Sequence, residues 1–116
     1  MINDYFESEI FKATLQNYEK CMSDDGVVYL DAEDFMDIAD YYMSLGHYDK
    51  AEECVNLAMS QHPDDDGVMA VCCSCYICQK RFEEANALHK RMDATMPDVM
   101  YQRAQIQYAL NHNYDK

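Results

Sequence analysis

The chain is poor in the two residues that most often interrupt helices. Its 116 residues include prolines only at positions 63 and 97 and glycines only at 26, 46 and 67. Between these positions apolar residues recur every three or four places, and no segment keeps the strict alternation of a half-buried strand. This scarcity argues against a fold rich in β-sheet and predicts an all-α chain.

Basic residues are scarce as well. The chain has 9 lysines and arginines against 22 acidic residues, which gives a net charge of −13. Residues 1–65 contain 16 of the acidic and 3 of the basic residues, whereas residues 66–116 contain six of each. Because nucleic acids and anionic membranes repel a polyanion, we predict neither as a partner.

A long apolar run is also missing. Nothing in the chain approaches the roughly 20 apolar residues that cross a bilayer, and the first residues, MINDYFESE, lack the basic and apolar regions of a signal peptide. Four of the six cysteines lie in the stretch CCSCYIC. In the absence of a secretion signal they read as reduced thiols, so we expect a cytoplasmic protein.

Helix ends can be placed by local chemistry in the middle of the chain. Asp31 is the predicted N-cap of a helix, with its side chain bonded to a backbone N–H and Asp34 as an imperfect capping-box partner. Gly46 can adopt the left-handed conformation that ends this helix, Tyr48 begins the next one, and Pro63 stops it.

An internal repeat links two parts of the chain at a constant offset of 34 positions. Its first copy comprises Phe35, Ile38, Ala39, Tyr42, Tyr48, Ala51, Val55, Ala58 and Pro63. The second copy comprises Met69, Cys72, Cys73, Tyr76, Phe82, Ala85, His89, Met92 and Pro97. The small alanines allow helix backbones to approach closely, and the larger side chains fill the space between them. At the turn, Gly46 is replaced by Lys80 in the second copy.

The period and the pattern resemble the tetratricopeptide repeat family. The resemblance implies a right-handed superhelix of antiparallel helix hairpins with a concave face that binds other chains, as in scaffolds and adaptors. It is specific from Phe35 to Pro63 and weaker in the second copy.

The repeat also suggests how the chain is organised. We expect an N-terminal helix, either a half-repeat or a cap, with its linker in residues 1–31, repeats in 32–65 and 66–97, and the first helix of a truncated third repeat in 98–116. The N-terminal helix carries the second-helix spacing at Phe11, Thr14, Tyr18 and Cys21. Because an array normally ends with a polar capping helix, we expect the chain to be a fragment of a longer protein.

The third copy is assigned at a shorter spacing than the other two. Its expected repeat positions are Tyr101, Ala104, Tyr108 and Tyr114, each of which follows its counterpart in the second copy by two positions fewer than the period of the first two copies.

The cysteines could bind a metal or could simply pack in the core. Cys72, Cys75 and Cys78 have the two-residue gaps of a zinc motif, but steps of three along a helix advance about 300° and the thiols spiral apart. Cys72 also occupies the repeat position of Ile38, so packing explains it. No nucleophile with a fixed histidine suggests a triad, and PDDDG lacks the spacing of a calcium loop. We predict no metal, no cofactor and no enzymatic activity.

The function expected from the resemblance is a protein–protein interaction module or scaffold. A helical period places the following residues on the concave face: Glu33, Met36, Asp40, Met43, Ser44, Ala70, Ser74, Ile77, Gln102, Ile106 and Ala109. The acidic and methionine side chains favour a ligand with basic and apolar residues. They do not match the Lys, Arg and Asn with which some members of the family clamp a carboxylate.

Two further hypotheses belong to other classes. The segment could be a structural part or a regulatory part of a longer protein that self-associates through its truncated C-terminal end. The cysteine cluster could instead form a thiol-based redox sensor or a metal sensor.

Overall fold

The computed structural model describes residues 8–24, 26–92 and 97–112, most of which lie in α-helices. The helices are α1 (Glu9–Ser23), α2 (Ala32–Ser44), α3 (Tyr48–Gln61), α4 (Asp66–Cys78), α5 (Phe82–His89) and α6 (Pro97–Asn111). No strand occurs in these ranges, so the prediction of an all-α chain is confirmed for them. None of the six helices is both long and apolar enough to cross a membrane.

The helices contact one another in a regular order from α2 onward. Each of α2, α3, α4 and α5 packs against the next helix along the chain, and α4 also packs against both α2 and α6. The first helices of the three expected repeats are therefore neighbours in space.

The first turn between helices is built around Gly46. Its φ is +78°, its N–H donates to Met43 O at 3.0 Å, and the N–H of His47 donates to Tyr42 O at 2.9 Å. This pair of bonds is the Schellman arrangement that satisfies the last carbonyls of a helix. The prediction that Gly46 ends α2 in the left-handed conformation is confirmed.

The second turn repeats this geometry one period later without a glycine. Lys80 has a φ of 61°, its N–H donates to Ile77 O at 2.9 Å, and the N–H of Arg81 donates to Tyr76 O at 2.9 Å. Lys80 thus adopts a conformation that is strained for a residue with a Cβ. The backbone keeps the repeat although the residue type has changed.

The start of α2 differs in detail from the expectation. Asp31 is the N-cap residue, but its side chain makes no capping bond and only its carbonyl accepts the N–H of Phe35. The predicted side-chain cap is therefore wrong, because Asp31 is exposed and water can satisfy its oxygens. At the equivalent start of α4, Asp65 does accept the N–H of Val68, at 3.0 Å.

The core consists largely of the repeat positions. In the first copy the buried residues are Phe35, Ile38, Ala39, Tyr42, Ala51, Val55 and Ala58, and in the second copy they are Met69, Cys72, Cys73, Phe82, Ala85, His89 and Met92. Tyr48 and Tyr76 are half-buried, while Gly46 and Pro63 are exposed at the turns. Tyr114 and the side chain of Pro97 lie outside the described residues.

Helix α1 and its linker cover the first repeat. Phe11 and Tyr18 are buried on the face that was expected to pack. Residues 26–31 of the linker are neither helix nor strand. Gln61, at the end of α3, bonds to this segment through both groups of its side-chain amide: its Nε2 donates to Val28 O at 2.7 Å and its Oε1 accepts the N–H of Leu30 at 3.3 Å. The N-terminal segment is thereby attached to the far end of α3.

Helix α6 has a different register from the one expected. Tyr101 and Tyr108 are 68% and 66% exposed, and Ala104 is exposed as well. Their assignment as repeat positions at the shorter spacing is therefore wrong. The hydroxyl of a tyrosine makes an exposed position tolerable, so an aromatic residue alone does not identify the buried face.

The buried face of α6 keeps the period of the first two copies instead. Gln102, Ile106 and Ala109 are buried. Each lies 34 positions after a buried residue of α4: Val68, Cys72 and Cys75. Three buried residues of α6 thus follow buried residues of α4 at the period of the first two copies, whereas Arg103 and Gln107, which follow the buried Met69 and Cys73 at the same period, are exposed.

Candidate binding cleft

A cleft of about 410 Å³ lies between α2, α4 and α6. Its volume falls in the range of small-molecule and side-chain binding sites. It is lined by Met36, Asp66, Gly67, Ala70, Val71, Ser74, Val99, Tyr101, Gln102 and Gln105. Among the described residues that line it, most are apolar, one carries a carboxylate and none is basic.

Four residues of the predicted concave face line this cleft: Met36, Ala70, Ser74 and Gln102. The structure places the others elsewhere. Glu33, Asp40 and Ser44 are exposed on α2 outside the lining, and Met43 is partly buried against the core. Ile77 and the largely buried Ala109 border a second depression near the end of α4, and Ile106 is fully buried.

Met36 reaches the cleft because α4 has a glycine opposite it. A Cβ on Gly67 would lie 2.9 Å from both Cε and Sδ of Met36. The missing side chain lets the thioether lie across the start of α4, where it forms part of the cleft wall. An unbranched methionine can adapt to an irregular apolar ligand in such a place.

Gln102 is the buried polar residue of the cleft, with 8% of its surface exposed. Its Nε2 donates to Ala70 O at 3.1 Å and to Ser74 Oγ at 2.9 Å, which ties α6 to α4. Because Ala70 O can only accept, these contacts identify the amide nitrogen. The amide oxygen, Oε1, is buried without a partner among the described residues.

The negative charge near the cleft is concentrated on α2. This helix carries four carboxylates and no basic residue: Glu33, Asp34, Asp37 and Asp40. Glu33 and Asp40 lie three residues before and four residues after Met36, so the three share one helix face. Desolvation raises the pKa of Asp40, and the neighbouring Asp37 raises it further. A cation near this face would relieve that repulsion.

The cysteine cluster has the properties of a packed core. Burial raises the pKa of Cys73 to about 12 and that of Cys75 to about 11. The Cys73 thiol donates to Ala85 O at 3.6 Å, and Cys78 is exposed. Thiols with raised pKa values are protonated at neutral pH and react slowly. Across residues 8–24, 26–92 and 97–112, no three side chains of the metal-binding types are grouped to hold an ion.

His89 is almost completely buried. Only 1% of its surface is exposed, and neither ring nitrogen has a hydrogen-bond partner in the described part of the chain. Burial lowers its pKa, Arg103 lowers it further, and Gln102 acts in the opposite direction. His89 therefore lies at the contact between α5 and α6, beside the residue that joins α6 to the cleft.

Several residues that line the cleft were not predicted from the sequence. Two of them could have been predicted by extending the period of the first two copies into α6. If the period of the first two copies is continued into α6, Gly67 corresponds to Tyr101 and Val71 to Gln105. The same period places a polar Gln102 at the buried position of Val68, which marks it as unusual. The shorter spacing concealed this substitution.

The chain was also compared with known proteins. No protein-family model matches it, and neither the curated proteins nor the solved structures include a match.

Proposed function

We propose that the chain is an array of tetratricopeptide-like helix hairpins that acts as an interaction module, and that its cleft binds a protein segment with basic and apolar side chains. The observation that carries the proposal is the cleft itself, where three consecutive first helices leave an open, mostly apolar space. Four of the residues that were predicted from the sequence to form the binding face line this cleft.

The proposed superhelical arrangement has two supports. The same left-handed turn occurs at Gly46 and at Lys80, which are one period apart. In addition, α4 contacts both α2 and α6, as expected if first helices stack along one side of an array. The division of the chain into units at residues 32, 66 and 98 is part of this proposal.

The chemistry of the ligand follows from charge and lining. Asp66 lines the cleft, and the carboxylates of α2 continue the negative surface beside it. Apolar anchors would contact Met36 and Tyr101, while basic side chains would meet the carboxylates. Such exposed charges contribute only about 0.2 to 1 kcal/mol each, so the apolar contacts supply most of the affinity.

The test measures peptide binding by fluorescence anisotropy with the full chain. The probe is a fluorescein-labelled peptide of alternating leucine and arginine, and the comparison peptide alternates leucine and glutamate. The variant Ala70→Arg fills the cleft with a bulky cation. Ala87→Arg makes the same change on the exposed surface of α5 and is the matched control.

We expect the leucine–arginine peptide to bind the wild type and the control equally, and to bind Ala70→Arg at least tenfold more weakly. A tenfold loss is about 1.4 kcal/mol. Equal affinity for the two variants, or equal binding of the glutamate peptide, would contradict the proposal. The prediction that the chain is not an enzyme stays a prediction, as does its cytoplasmic location.

The second candidate function is self-association through α6. The observation that favours it is the apolar surface formed by Met100, Tyr101 and Tyr108, each more than half exposed. The adjoining depression of about 460 Å³ is lined by Ile77, Phe82 and Ala104 together with both tyrosines. Light scattering distinguishes self-association from peptide binding. A dimer held together by α6 should lose mass as the protein is diluted, and the variant Tyr108→Arg should have the mass of a monomer at every concentration.

A further inference from the structure

His89 is out of place chemically at the position it occupies. Its counterpart in the first copy is Val55, an apolar residue with no demand for hydrogen bonds. The imidazole is nevertheless buried with both nitrogens unpaired among the described residues. A buried polar group without a partner costs free energy, and a buried charge without a partner costs considerably more. The neutral ring is therefore tolerated here, and the charged ring is not.

The surroundings of His89 offer no carboxylate within the described ranges to receive the charge. Helix α6 contributes the guanidinium of Arg103, which opposes a second positive charge, and the amide of Gln102, which favours the charged ring less strongly than burial and Arg103 oppose it. Helix α4 contributes the Cys73 thiol, which bonds to α5 at Ala85 O and is neutral because burial raises its pKa to about 12. Protonation of His89 thus places two like charges on either side of the contact between α5 and α6.

Helix α6 is held by fewer neighbouring helices than α4 is. Among the described helices, α6 packs mainly against α4 and α5. In contrast, α4 packs against α2, α3, α5 and α6. Its polar connection to α4 in the cleft is the amide of Gln102, whose oxygen has no partner in the described part of the chain. Moving α6 would expose His89 to water without disturbing α2 or α3.

We propose that protonation of His89 releases α6 from α4 and α5 and so dismantles the cleft, which makes binding there sensitive to pH. Helix α6 supplies Val99, Tyr101, Gln102 and Gln105 to the lining, so one wall is lost when it moves. The effect on binding rests on the proposed function. The movement of α6 does not, and it can be measured without a ligand.

The direction of the pH effect follows from proton linkage. In the released state His89 is solvated and has an ordinary pKa of about 6.5, whereas in the packed state burial holds its pKa lower. The released state binds the proton more strongly, so release becomes more favourable as the pH falls below about 6.5. The equilibrium constant for release rises up to tenfold per pH unit until the lowered pKa is reached.

The experiment uses two measurements on the full chain. Ring proton signals in NMR give the pKa of each of the four histidines, and hydrogen exchange, corrected for the intrinsic pH dependence, gives the protection of the α6 amides between about pH 7.5 and pH 5.5. We expect the pKa of His89 to lie below its ordinary value and α6 protection to fall up to tenfold per pH unit, with little change in α2 and α3.

Two variants complete the test. His89→Val, which copies the first repeat, should keep α6 protection constant over this range, while the matched control His47→Val, at an exposed turn, should behave like the wild type. An ordinary pKa for His89 in the wild type, or an unchanged pH response in His89→Val, would overturn the proposal. Failure of the peptide to bind at any pH would remove the proposed function but leave the exchange result to decide the release of α6.

Discussion

At the scale of single residues, Lys80 is the position where residue type and backbone disagree most clearly. Its φ of 61° matches the left-handed conformation of Gly46 in the preceding repeat, and both turns contain the same pair of backbone hydrogen bonds. A side chain with a Cβ raises the free energy of this conformation by roughly 1 to 2 kcal/mol. The second hairpin is therefore folded against a local conformational strain.

The strain at Lys80 leads to the first prediction. Lys80→Gly should raise the free energy of unfolding by about 1 kcal/mol, because the relief of strain exceeds the added entropy of the unfolded glycine. Gly46→Ala should lower it by a similar amount, since its φ is +78° although no atom lies within 4 Å of an added Cβ. Urea denaturation checks both.

Lys20→Gly is the matched control for the first prediction. Lys20 is exposed in the last turn of α1, where glycine should destabilise by up to about 1 kcal/mol. If Lys80→Gly destabilises as much as Lys20→Gly, the left-handed conformation of Lys80 is refuted.

At the scale of helices, the repeat period was enough to predict the faces of α2 to α5. Phe35, Ile38 and Ala51 are all fully buried, because small and large residues alternate where the helices meet. The same reasoning failed for α6. The aromatic Tyr101 and Tyr108 were assigned to the repeat positions, whereas Gln102 and Ile106 are the residues that are buried. Periodicity identifies a face only when polar and apolar residues separate, and on α6 they are mixed.

The cleft was predicted only in part, for a related reason. The helical period predicted that Met36 and Ala70 lie on the binding face. However, the space that Met36 occupies depends on the absence of a side chain at Gly67 of α4. A contact between two helices cannot be read from the pattern of either one alone. The unpaired state of His89 among the described residues is likewise visible only once α6 is in place.

The register of α6 gives the second prediction. Ile106→Ala should lower the free energy of unfolding by about 2 to 5 kcal/mol, because it removes a fully buried side chain between α5 and α6. Tyr108→Ala should change it by no more than about 0.5 kcal/mol, since the ring is 66% exposed. Thermal denaturation followed by circular dichroism compares the two, and a larger loss for Tyr108→Ala would restore the shorter spacing of the third copy.

At the scale of the whole molecule, charge divides the chain into two unequal halves. Residues 1–65 carry the entire net charge of −13, and residues 66–116 are balanced. The cleft lies where these halves meet, since α2 belongs to the first and α4 and α6 to the second. A cationic ligand would therefore be attracted from one side before it makes any contact.

This asymmetry gives the third prediction. The affinity for the leucine–arginine peptide should fall as ionic strength rises from about 0.01 M to about 0.15 M, over which the screening length shortens from about 30 Å to about 8 Å. Asp40→Asn should weaken binding by about 0.2 to 1 kcal/mol at low salt. Anisotropy titrations at both salt concentrations measure these effects.

Asp49→Asn removes one carboxylate from α3 and is the control for this prediction. A loss that is equal for both variants would assign the effect to total charge instead of the α2 face. Affinity that is independent of salt, and equal for wild type and Asp40→Asn, would remove the acidic face from the account of binding and favour self-association.

The pairing of Gln61 with the linker has a mechanical consequence. One side-chain amide bonds to Val28 O and to Leu30 N–H, and the ring of His62 bonds to Leu30 O at 2.8 Å. Tension applied at the N-terminal end would therefore load these bonds together with the packing of Phe11 and Tyr18 of α1 against the first repeat, before the hairpin of α2 and α3 unfolds. In an optical trap, Gln61→Ala should let α1 and the linker detach at a lower force than in the wild type while the later unfolding events keep their forces.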